Sequence, residues 1–139
     1  DVYKRQLANR TISVICSDHQ PHEEDAKARP FPETEPGISG LETLLPLSLR
    51  LADEGILTLS EAIQRLTAGP ATVMGLPYGT LSRGASADIC IFDPDAVWQL
   101  VPETMLSRGR NTPFMGWQLK GRVTNTLLQG RLVFSRNAG

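Results

Sequence analysis

Ile12, Val14, Ile15 and Cys16 make a nearly continuous β-prone run that stops abruptly at the polar Ser17-Asp18-His19. A run without alternation suits a strand covered on both faces, as in a parallel sheet, so residues 11–18 are predicted to form one. Residues 20–40 break the pattern with Pro21, Pro30, Pro32, Pro36, Gly37 and Gly40, and with a charged stretch from Glu23 to Arg29. They read as a loop long enough to suggest a functional segment. Leu41, Leu44, Leu45, Leu49 and Ala52 then fall on one face at helical spacing, with Gly55 as the stop and Pro46 expected to bend the helix. Ser39 and Glu42 have the spacing of a capping box for it, as do Thr58 and Glu61 for a second helix with Ala62, Ile63 and Leu66 on its apolar face. Gly69-Pro70 breaks that helix, and a short third one runs from Pro70 through Met74 to Gly75.

From Gly79 the period changes. Residues 87–92 read as a strand closed by the turn Asp93-Pro94-Asp95, and residues 97–101 as a short second strand. Residues 123–128 and 131–134 flank Gln129-Gly130 as a hairpin. Trp98 and Trp117 are expected to pack this β module. A strand, a loop and helices thus precede a small β module, which points to an α/β chain.

Composition narrows the function classes. In 139 residues, 40% apolar and 21% charged, a formal net charge of −1 with scattered basic residues favours no nucleic acid and no anionic membrane. No apolar run approaches the roughly 20 residues a spanning helix needs. Cys16 and Cys90 lie in apolar stretches without a Cys-x-x-Cys pair and read as buried free thiols of a reducing compartment, hence a cytoplasmic protein. The polar opening Asp1 to Gln6 lacks a methionine, so residues 1–10 are taken as a leader of uncertain origin on a fragment.

Ser17-Asp18-His19-Gln20-Pro21-His22 carries the candidate chemistry. An acidic residue at the carboxyl end of a parallel strand faces the crevice where α/β barrels place their sites. There a carboxylate can ligate a metal and move a proton, and two loop histidines can bind a metal or a substrate anion. On residue type alone the bland readings stay open: a cap or turn aspartate, and two histidines that are merely polar.

The order of motifs goes further. Residues 17–22, then Glu35-Pro36-Gly37-Ile38-Ser39-Gly40-Leu41-Glu42, resemble the Asp-His-x-Pro-His and Pro-Gly-x-x-Gly-Leu-Glu patterns of bacterial-type (class I) dihydroorotases of the amidohydrolase superfamily. The likeness continues through Ala87-Asp88-Ile89, Asn111-Thr112-Pro113-Phe114 and Gly121-Arg122-Val123 to Gly130-Arg131-Leu132-Val133. It implies the C-terminal part of a (β/α)8 TIM barrel, residues 11–78, and the C-terminal share of a small β-sandwich, residues 79–135, with a tail at 136–139. It further implies that Asp18 ligates zinc and acts as general acid/base, while a zinc-bound hydroxide opens dihydroorotate to N-carbamoyl-aspartate. His22 corresponds to the residue that binds the substrate carboxylate, and Pro36 and Gly37 to a loop pair that contacts substrate through the backbone. Proline has no N–H, so Gly37 is the donor of that pair.

His19 is expected to make a structural hydrogen bond, and residues 111–114 a structural loop without a catalytic role. The family's other metal ligands, a His-x-His, a carboxylated lysine or aspartate and two further histidines, have no counterpart in these residues. The isolated chain is therefore expected to be inactive and marginally folded. Two further branches stay open. Gln20 and the wording of residues 34–40 resemble a silent dihydroorotase-like subunit, a structural partner of aspartate carbamoyltransferase, and the parent protein of either branch is expected to be oligomeric. Hydantoinases and allantoinases are similar around Asp-His but generally lack a histidine at the position of His22.

Overall fold

The computed structural model describes residues 1–136, and the tail expected at 136–139 lies, past Arg136, outside the described residues. Their order is α1 (Val2–Ala8), α2 (Glu24–Lys27), a 3-10 turn (Phe31–Glu33), α3 (Leu41–Asp53), α4 (Leu59–Leu66), α5 (Ala68–Met74), β1 (Ile89–Gln99), a 3-10 turn (Pro102–Thr104), β2 (Gln118–Leu128) and β3 (Arg131–Ser135). The three strands form one antiparallel sheet, β1-β2-β3. Of the fold implied by the sequence, an α/β chain with a C-terminal sheet is present, while a closed barrel is not formed by these residues.

Residues 11–18 form no strand. A strand needs a neighbour to take its N–H and C=O groups, and among the described residues none lies alongside. Ile12 N–H donates to Gln6, Ile15 N–H donates to Arg65, and the one sheet-like pairing is an isolated parallel bridge between His19 and Ile38. The apolar side chains of the run still find cover. Ile12 and Ile15 pack with Leu51 and Ile56 around the buried Leu7, Leu57 and Ala62. Leu7 belongs to α1, so part of the expected leader is a helix docked on α4. Arg65, buried among them, clamps this corner by donating from Nη2 to the Leu7 carbonyl at 3.2 Å.

The helix ends test the capping expectations separately. At α4 the reciprocal box forms: Thr58 Oγ1 accepts from Glu61 N–H at 3.2 Å, and the Glu61 carboxylate accepts from Thr58 N–H at 2.9 Å. At α3 it does not, and Gly40 holds the N-cap position without a side-chain cap of its own. Ser39 Oγ turns to Ser107 Oγ at 3.3 Å, and the Glu42 carboxylate accepts from the N–H groups of Leu106 and Ser107. A distant segment has taken both side chains, and the orphan amides of α3 are met by another donor–acceptor set described below. Pro46 sits inside α3 as expected and is buried. The α5 helix starts at Ala68, earlier than Pro70, which still lies in the first turn where its missing N–H costs nothing. Gly75 ends it at φ 65°, ψ 31°, the left-handed cap.

β1 is one strand rather than two. Between the pairs Asp93–Arg122 and Val97–Lys120, β1 advances four residues while β2 advances two, so the expected turn is a bulge inside a continuous strand. Its local chemistry is that of a turn: Asp93 Oδ1 accepts from the N–H groups of Asp95 and Ala96 at 2.9 and 3.2 Å. Pro94 cannot donate to a ladder, and the bulge excuses it from doing so. The Gln129-Gly130 hairpin forms as expected, both residues at positive φ (51° and 78°). Trp98 packs into the sheet and donates from its indole nitrogen to the Gly121 carbonyl at 3.0 Å. Trp117 meets Phe114 edge to face at 5.1 Å. The two cysteines are free as expected, but exposed rather than buried.

Candidate functional site

The loop of residues 20–40 returns on itself, and its two ends meet through the His19–Ile38 bridge, with Gln20 N–H donating to the Ile38 carbonyl at 2.8 Å. That closure brings His22 to Pro36 across 14 residues of sequence: His22 Nε2 lies 3.0 Å from the Pro36 carbonyl oxygen. A carbonyl only accepts, so Nε2 carries the hydrogen and Nδ1 is left with its lone pair for another partner. Lys27, from α2, donates to the Gly37 carbonyl at 2.7 Å and to that of Glu35. The carbonyls of residues 35, 36 and 37 therefore all point at donors. Gly37 takes φ +92°, a conformation that side-chain-bearing residues rarely adopt. The Gln20 side chain lies directly over it, so that a Cβ built on Gly37 would fall 2.6 Å from Gln20 Cδ.

His19 has the structural role expected of it, in a specific form. Its Nδ1 accepts from Gly40 N–H at 3.1 Å and Leu41 N–H at 3.3 Å, capping α3 in place of Ser39. Residue 18 thus sits between a helix-capping histidine and the segment that ends the first apolar run. Asp18 itself is exposed and adopts φ +44°. Its carboxylate makes no hydrogen bond to protein among the described residues. Of the four residues singled out from sequence, then, His22, Pro36 and Gly37 are brought together, and Asp18 stands one residue from the bridge that closes their loop.

The donor set does not fit a metal ion: among the described residues no group of three or more His, Cys, Asp or Glu side chains is arranged to hold one. Nor do these four residues line the cavity of about 480 Å³ between α3 and the sheet, whose walls include Leu45, Trp98, Val123 and Phe134. No helix among the described residues is long and apolar enough to cross a membrane.

Sequence reasoning passed over Asn111. Its side chain and backbone contact Gln20, His22, Gly37 and Ser39, so a residue assigned to a plain junction loop is the one that joins both arms of the site. No local signal could reveal this, since its partners are 72 to 91 positions away.

The profile of the amidohydrolase family matches residues 38–134, well over half of the chain. The chain belongs to the amidohydrolase family. Within the family its likeness is of dihydroorotase type. This amidohydrolase chain is 49% identical over 134 residues to a dihydroorotase of Syntrophotalea carbinolica, covering 96% of the chain and 32% of that relative. It is 46% identical over 131 residues to a dihydroorotase of Syntrophus aciditrophicus, covering 94% and 31%. A dihydroorotase-like protein of Pseudomonas aeruginosa matches at 46% over 133 residues, covering 96% and 31%. The chain therefore spans about a third of the length of the curated relatives it matches. Among solved structures, a dihydropyrimidinase from Brevibacillus agri superposes with a TM-score of 0.88 at 26% identity. An L-hydantoinase from Arthrobacter aurescens superposes at 0.85 and 29% identity. Each is covered to 31% by 96% of this chain.

Proposed function

We propose that this amidohydrolase chain is the C-terminal part of a cytoplasmic, oligomeric dihydroorotase, which reversibly hydrolyses (S)-dihydroorotate to N-carbamoyl-L-aspartate in pyrimidine synthesis. Residues 11–78 close the barrel and residues 79–135 belong to the small β-sandwich. The observation that carries this reading is the meeting of the His22 ring with the Pro36 carbonyl in a loop closed by the His19–Ile38 bridge, one residue along the chain from Asp18. The substrate is a small cyclic amide with a free carboxylate. His22, held at Nε2 by the Pro36 carbonyl, meets that carboxylate through Nδ1 in the protonated form of the ring, donating a charge-assisted hydrogen bond to it. Gly37 N–H is the backbone donor toward the ring. Asp18 accepts the proton of the attacking water and returns it to the departing ring nitrogen. Zinc is the metal this reading implies. One carboxylate does not hold it, and no step through it follows from these residues.

One observation favours a second reading. The Gln20 side chain packs directly over Gly37, and the Pseudomonas aeruginosa dihydroorotase-like protein is as similar as several dihydroorotases. In that reading the protein carrying this chain is a silent partner of aspartate carbamoyltransferase.

Hydrolysis of dihydroorotate by that protein decides between them. Activity that Asp18→Asn abolishes, with a Michaelis constant raised about 10- to 100-fold in His22→Ala, the loss of a hydrogen bond to a charged group, supports the enzyme. An inactive wild type that co-purifies with aspartate carbamoyltransferase supports the silent partner. Calorimetric titration of residues 1–139 with zinc is expected to show no tight stoichiometric binding.

A further inference from the structure

We propose that Asn111, seated by Gly109, is a positioning residue for the substrate-binding loop, an inference that rests on the dihydroorotase reading for its functional consequence but not for its structural one. The Asn111 carboxamide uses each of its polar positions on the loop. Its Nδ2 donates to the Gln20 carbonyl at 2.9 Å and to the Gly37 carbonyl at 3.3 Å, and its Oδ1 accepts from His22 N–H at 2.8 Å. Its backbone carbonyl accepts from Ser39 N–H at 3.1 Å. Both Nδ2 partners are carbonyls, which only accept, and the Oδ1 partner is an N–H, which only donates. The amide therefore has one orientation that satisfies all three groups, and a flipped one satisfies none.

No other residue type supplies this set at that length. Aspartate keeps the acceptor and sets a carboxylate against two carbonyl oxygens, and leucine keeps the volume and loses every bond. Gly109 brings the amide close enough. A Cβ there would lie 2.7 Å from Pro21 Cα and 2.8 Å from His22 N, so the chain can approach the Pro21–His22 peptide only as glycine. The segment joins the outgoing arm of the loop (residues 20–22) to the returning arm (residues 37–39) at the level where His22 reaches Pro36. It sets the spacing between the imidazole and the Gly37 N–H, which are the two groups assigned to the substrate. Asn111 acts through His22 and Gly37 and touches no reacting atom in this assignment.

Two variants separate the hydrogen bonds from the close approach: Asn111→Leu removes the polar groups, and Gly109→Ala keeps them and inserts a methyl. Amide hydrogen exchange by NMR on the full 139-residue chain is the first readout. In both variants the amide of His22, whose acceptor is Asn111 Oδ1, is expected to exchange about tenfold faster or more, the effect of losing one hydrogen bond, while those of Thr126 and Leu127 inside β2 stay unchanged. Unchanged exchange at His22 in both variants overturns the proposal. Equal acceleration in β2 also overturns it, because Asn111 would then serve only global stability.

The second readout is dihydroorotate hydrolysis by the protein carrying the chain. Asn111→Leu is expected to raise KM about tenfold with kcat within about threefold, and to add nothing to the KM of His22→Ala, as residues acting through one another do. An unchanged KM in an active protein, or full additivity with His22→Ala, overturns the positioning role. A wild type without hydrolysis removes the dihydroorotase reading and leaves the exchange experiment to decide the brace.

Discussion

Replacing Gly121 with alanine is the most direct test of how the helices are held to the sheet. Gly121 lies in β2 at φ +94°, is buried, and carries the carbonyl that accepts the Trp98 indole N–H. A Cβ at this position collides with Cδ1 of Leu49, a side chain of α3 that is itself only 4% exposed. Two costs follow. A β-carbon at this φ strains the backbone by about 1–3 kcal/mol. Relieving the collision requires Leu49 to leave its rotamer or α3 to shift from the sheet, about 1–3 kcal/mol for an overpacked core position. The loss is therefore about 2–6 kcal/mol, a large fraction of the stability of an ordinary domain. Urea unfolding of the full chain followed by tryptophan fluorescence measures it, with Trp98 reporting from the neighbouring strand β1, where its indole donates to the Gly121 carbonyl. Gly84→Ala is the control: φ is +87°, but nothing lies within 4 Å of an added Cβ, so only the backbone cost remains. If Gly121→Ala and Gly84→Ala prove equally destabilising, the Leu49–Gly121 contact does not carry the helix–sheet junction.

Two further expectations concern the helices. Thr58→Ala removes the acceptor of Glu61 N–H and should cost about 1–2 kcal/mol in the same unfolding experiment, whereas Ser39→Ala should leave α3 capped by His19. Glu54 is held below its ordinary carboxylate value of 4.5 by hydrogen bonds from Lys4 and then Arg50, so the stabilisation it brings is complete above pH 4.5 and lost as pH falls through its folded value. Lys4→Met should therefore flatten the decline of the urea midpoint between about pH 5 and about pH 3, and parallel declines in both proteins would refute that linkage.

Elements governed by nearby residues were legible from the sequence alone. The Thr58–Glu61 box, the Gly75 cap and the Gln129-Gly130 hairpin all form where local spacing and left-handed preference put them, because each closes its hydrogen bonds within a few residues. The motif order that marks an amidohydrolase of dihydroorotase type was legible for a different reason: it is a property of residue identity and spacing, and needs no folding. What the tertiary structure decided are the places where distant groups compete for a local partner. Residues 106–107 draw Ser39 and Glu42 away from α3, and His19 takes over its cap. The apolar run at 11–18 has strand-forming residues but no neighbouring strand among the described residues, so composition alone does not make it one here. Asn111 became part of the site only when a loop 74 to 91 residues earlier in the chain folded against it. A hydrogen bond between residues that far apart leaves no periodicity in the sequence, and only the closed loop reveals which carbonyl meets which donor.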